Sequence, residues 1–78
     1  MKKKLYHIYK AEIIVSRKAG LKEKETFSFL VRDTYIDMVV AQLQKQIALY
    51  NEFCFDEYKI VKYDEETAIF EKVGELWL

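Results

Sequence analysis

The stretch Asp33 to Asn51, DTYIDMVVAQLQKQIALYN, constrains this chain more than any other. Ile36, Val39, Val40, Leu43, Ile47 and Tyr50 recur at three- and four-residue steps, which is one continuous stripe on a 3.6-residue helix. Asp37, Gln44, Lys45, Ala48 and Asn51 turn the other way. Asp33 or Thr34 can cap the first amides, Asp37 suits the positive end of the helix, and no Gly or Pro breaks the run. Most of the remaining sequence reads as strand. The expected fold is therefore α+β, with one amphipathic helix over about 33–51 packed on an antiparallel sheet.

Residues 5–15, LYHIYKAEIIV, are β-branched and aromatic and read as a strand. Leu5, His7, Tyr9, Ala11, Ile13 and Val15 share one face; Tyr6, Ile8, Lys10, Glu12 and Ile14 share the other. Residues 16–24, with Gly20 and four basic side chains, read as an exposed hairpin loop. Residues 25–32 alternate: Phe27, Phe29 and Val31 point one way, and Thr26, Ser28, Leu30 and Arg32 the other. A third strand is expected from about Phe55 to Tyr63, followed by a break at Asp64-Glu65-Glu66.

The last segment, TAIFEKVGELWL, fits two forms. As a helix it has Asp64 as N-cap and a stripe of Ile69, Val73, Leu76 and Trp77. As a strand, Thr67 to Val73 pairs back on the third strand, which otherwise lacks a partner. The strand is favoured, giving β-β-α-β-β, with β-β-α-β-α as the alternative. The expected strand order is 2-1-3-4. It puts the basic loop at one end of the sheet and the acidic turn at the other.

Seventy-eight residues, read as one domain over 1–78, bury a core that supplies only about 3–5 kcal/mol. One cysteine, Cys54, excludes an internal disulfide, and one histidine, His7, leaves no zinc pattern. Association between copies is the reinforcement left open. Apolar runs are too short for a membrane span or a secretory signal, and a lone thiol suits the cytoplasm.

No motif carries enzyme chemistry, and no cofactor is implied. His7 sits inside a strand with no nucleophile at a telling spacing, so it reads as a structural histidine. Cys54 lies between two phenylalanines with acids beyond and reads as a small apolar residue rather than an activated thiol. Asp56, Glu57 and Asp64–Glu66 lack the offsets and glycine of a cation loop and read as solvated turns. No metal is expected.

Net charge is zero but unevenly laid out. Residues 1–24 hold eight basic and two acidic side chains, and the rest hold five and eleven. Arg17, Lys18, Lys22 and Lys24, with Lys2–Lys4 and stacking from Tyr6 or Tyr9, could meet phosphates. Nucleic-acid binding by this basic hairpin is the second reading, weakened by a pI near 6.6 and a basic set that is nearly all Lys. The first reading is a non-enzymatic protein-interaction module that forms a homodimer. A helix covers about 10 Å of a sheet that four strands make roughly 19 Å wide. The uncovered face carries Tyr6, Ile8, Ile14 and Leu30, the candidate protein interface. Trp77, in the terminal Glu75–Leu78, is the remaining candidate contact.

Overall fold

The computed structural model describes residues 2–32 and 35–78. Their order is β1 (Leu5–Arg17), β2 (Lys22–Val31), α1 (Ile36–Phe53), a single 3-10 turn (Asp56–Tyr58), β3 (Ile60–Tyr63) and β4 (Ile69–Trp77). This is the β-β-α-β-β order read from the sequence, and the C-terminal segment is strand, not helix.

β1 is the spine. Its 13 residues pair with β2 along one side and with β3 and β4 along the other, all antiparallel. The hairpin to β2 is tighter than the 16–24 loop expected. Gly20 N–H donates to Arg17 C=O at 2.9 Å, Arg17 N–H donates to Leu21 C=O at 2.9 Å, and Gly20 sits at φ 80°. That conformation is one glycine adopts without strain.

The strand order departs from 2-1-3-4. β3 and β4 do not pair with each other. Val15–Arg17 pair with β3 and Leu5–Glu12 pair with β4, so the two short strands follow one another along the same edge of β1. The reason is the length of β1, which can template both. The acidic segment therefore has no reversal to make and loops out between them. Asp64 N–H stays on Ile14 C=O at 3.1 Å, and the Asp64 carboxylate accepts Glu66 N–H at 3.0 Å. The acidic turn thus lies beside Ile14 and Lys22, and the expected separation of basic and acidic ends is absent. β3 also starts later than Phe55, because Asp56–Tyr58 first makes its 3-10 turn.

Val39, Leu43 and Ile47 of the helix stripe are buried, with Val40 and Tyr50 half-buried. They close over Ala11, Ile13, Val15, Phe29, Val31 and Ile60 to make the core. Ile36 departs from the expected stripe: it is 58% exposed. Asp37 is in the first turn; Asp33 and Thr34, the expected caps, lie outside the described residues. Asn51 was expected to face outward but turns to β3. Its side-chain oxygen accepts Ile60 N–H at 2.7 Å and its amide donates to Ile60 C=O at 2.9 Å, mimicking a strand neighbour. Lys4 and Leu78 exchange backbone hydrogen bonds of 2.6 and 2.9 Å, which close the far end of the β1–β4 ladder.

Candidate protein interface

The alternation of β1 decides what each face carries. Its odd-numbered residues turn toward the helix and its even-numbered ones away, onto a face that no described element covers. On that open face, Ile8 stands between Leu30 of β2 and Gly74 of β4, and Tyr6 is paired with Leu76. Leu30 and Leu76 are 37% and 40% exposed, so these four side chains form one apolar patch at the end of the sheet. Ile14 shares the face at 41% exposure but lies six residues, or roughly 20 Å, farther along the strand. Lys10 and Glu12 intervene, with Lys24 paired to Glu12. Trp77 belongs to neither group. It pairs with Leu5 on the helix side and is 60% exposed. Of the terminal residues, Leu76 and not Trp77 joins the open face. The two-residue alternation of β4 carries that signal, but the bulge between Ile8 and Tyr9 shifts its phase.

The basic hairpin is divided by the fold. Arg17 is buried, at 5% exposure, on the helix side. Its guanidinium bonds Glu23 at 3.0 Å, Tyr50 hydroxyl at 3.2 Å, Glu25, and the Tyr58 carbonyl, and its carbon lies 5.5 Å from the Tyr50 ring centre. Every edge of the fork is taken, so Arg17 is an internal clamp rather than a phosphate contact. A sequence reading that ends the strand at Val15 misses this. Continuing the alternation to Arg17 puts it on the buried face, opposite two glutamates that share that face. Lys18, Lys22 and Lys24 are exposed, and the Lys22 side of the sheet faces Asp64, Glu65 and Glu66.

Away from the hairpin, His7 and Lys72 meet at the Glu75 carboxylate. His7 Nδ1 lies 3.8 Å from Glu75. Cys54 is half-buried beside Tyr50, whose hydroxyl is held above its ordinary value by a hydrogen bond with Cys54 and by burial. Among the described residues, no three His, Cys, Asp or Glu side chains gather as a metal ion needs. Among the described residues, no helix is long and apolar enough to cross a membrane.

A further surface runs along β2, which pairs only with β1 among the described residues. The hairpin fixes which backbone groups remain free. Arg17 and Leu21 are a hydrogen-bonded pair, so the odd residues of β2 turn their N–H and C=O inward. Those of Thr26, Ser28 and Leu30 therefore point outward. Consistently, it is even-numbered residues, Ile14 of β1 and Lys4 just before it, that bond across the other edge. Above the free edge stands a second helix stripe, Met38, Gln42, Gln46, Leu49 and Phe53, with no charge in it. Met38 and Gln42 line a trough with Leu30 and Val31; Gln46, Leu49 and Phe53 line another with Phe27. Sequence reasoning followed only the more apolar stripe. The five-residue set at steps of four, four, three and four was equally legible. Comparison of the chain with family models, with curated proteins and with solved structures finds no match in any of the three.

Proposed function

We propose that this chain is a non-enzymatic protein-interaction module of the cytoplasm that works as a homodimer. One observation carries the reading. A single helix covers one face of the sheet, leaving apolar side chains on the open face and a β2 edge that is unpaired among the described residues and free of charge from Thr26 to Val31. A chain of this size has little core energy to spare, and covering such surfaces is the means it has to gain more. The lone half-buried thiol supports the cytoplasmic placement. The charge layout favours a protein partner over nucleic acid. Arg17 is internally committed, Lys24 is paired with Glu12, and Asp64, Glu65 and Glu66 flank Lys22. Sedimentation equilibrium at micromolar concentration tests the reading. A dimer is expected, and a monomer throughout the accessible range overturns it.

A further inference from the structure

The free edge of β2 has two unlike halves. Toward the hairpin, Lys22, Glu23, Lys24 and Glu25 alternate in charge, the usual protection of an exposed edge. From Thr26 to Val31, TFSFLV, there is no charge and no proline, and β-formers dominate. An unprotected run of this kind on a free edge is a template for another strand. The overhanging helix stripe is equally free of charge. Both surfaces therefore invite the same occupant from the same side.

The pattern fits a second copy of the chain. Two identical strands paired antiparallel about a two-fold axis complement each other automatically. With the axis perpendicular to the sheet, both helices lie on the same side. The stripe then meets itself in reverse, with Met38 facing Phe53 of the second copy, Gln42 facing its Leu49, and Gln46 facing its Gln46. The midpoints coincide. Met38 and Gln42 stand beside Val31, and Gln46 and Leu49 beside Phe27, so the middle of the stripe falls within Phe27–Val31. The spacing also agrees. The helix packs over β1 and β2, and two helices each centred over two strands at about 4.8 Å per strand are roughly 9.6 Å apart. Packed helices sit about 8–10 Å apart.

We propose that two copies join along their β2 edges, in a register centred on Phe29, to form one continuous antiparallel sheet with the two helices side by side. This rests on the reading of the chain as self-associating and names where the copies meet. In this register Ser28 exchanges both backbone hydrogen bonds with Leu30 of the second copy, and Thr26 does so with its Arg32. Phe27 meets Val31 on the helix side. The open face with Tyr6, Ile8, Leu30 and Leu76 is left uncovered, doubled across the axis and available to a partner protein.

The test combines sedimentation with amide exchange. Gln46→Glu places two carboxylates across the axis and should weaken the dimer by about tenfold or more. Ser28→Pro removes an outward N–H that the monomer does not use, a position where an edge strand tolerates proline, and should abolish dimerisation. Ile8→Glu, on the open face, should leave the dimer constant within about twofold. In the unmodified dimer the amides of Thr26, Ser28 and Leu30 should be protected and should lose protection on dilution, while Phe27 and Phe29 keep theirs. The exchange pattern needs no variant, so a failure of Ser28→Pro to fold leaves the test intact. A dimer whose Thr26, Ser28 and Leu30 amides exchange freely overturns the edge contact, as does one dissociated by Ile8→Glu but not by Gln46→Glu. A monomeric wild type overturns self-association itself.

Discussion

Arg17 is the residue on which the hairpin end of the molecule depends. It ties β1 to Glu23 and Glu25 of β2, to Tyr50 of the helix and to the backbone before β3. Removing it strands a partly buried Glu25 as well as opening the clamp. Arg17→Ala should cost about 3–5 kcal/mol, the range for breaking a buried ion pair. That is comparable with the whole stability of a domain this size, so a urea titration should find the variant largely unfolded. A melt close to wild type would show that the clamp is dispensable. At the surface, smaller effects set the pH response. Hydrogen bonds from Lys24, Lys59 and Lys72 hold Glu12, Asp56 and Glu75 below their ordinary values. Their support is full above the unfolded carboxylate values and is lost as pH falls through the depressed folded ones. Burial raises Tyr63, so its contribution is full below about pH 10 and is lost as pH rises through the higher folded value. These groups should leave the melting temperature unchanged between about pH 5 and 9 and lower it on both sides. A rise on acidification below about pH 4 would contradict the assignment.

At the level of elements, the helix was the most legible part of the sequence, because a 3.6-residue stripe over four turns has few rival readings. Its inner face follows directly, and mutation can separate it from the outer one. Leu43, fully buried, should lose about 2–5 kcal/mol on truncation to Ala. Gln44→Ala, exposed with only a 3.4 Å contact to Tyr63, should change stability by less than about 0.5 kcal/mol. Equal urea midpoints for the two would reverse the buried face. Asn51 shows where such a reading stops. Periodicity assigns it to the outer side, and only the arrival of β3 from a distant part of the chain gives its amide two partners. The faces of β1 and β2 were legible for the same reason as the helix. The pairing of β4 was not, since adjacent strands joined by a short turn look like a hairpin from sequence alone. Nothing local announces that β1 is long enough to hold both.

For the whole molecule, the consequence of that topology is electrostatic. A sequence split between a basic front and an acidic remainder suggested opposed ends, yet the sheet brings Asp64–Glu66 alongside Lys22 and Lys62. Three carboxylates offset the positive field on the Lys22 side of the hairpin, and long-range attraction depends on that field. Gel-shift titration with random single-stranded DNA and RNA should therefore show no binding at 0.15 M salt, where the screening length is about 8 Å. Tight, salt-sensitive retardation would restore the nucleic-acid reading.

The Lys4–Leu78 pair gives the molecule a mechanical character. These residues sit side by side at one end of the β1–β4 ladder. A load applied across them pulls perpendicular to the strands and meets the hydrogen bonds one rung at a time, as in a zipper, instead of shearing all of them together. β4 is the element that such a load peels away first, from Trp77 toward Ile69, with β3 held beyond the loop of 64–68.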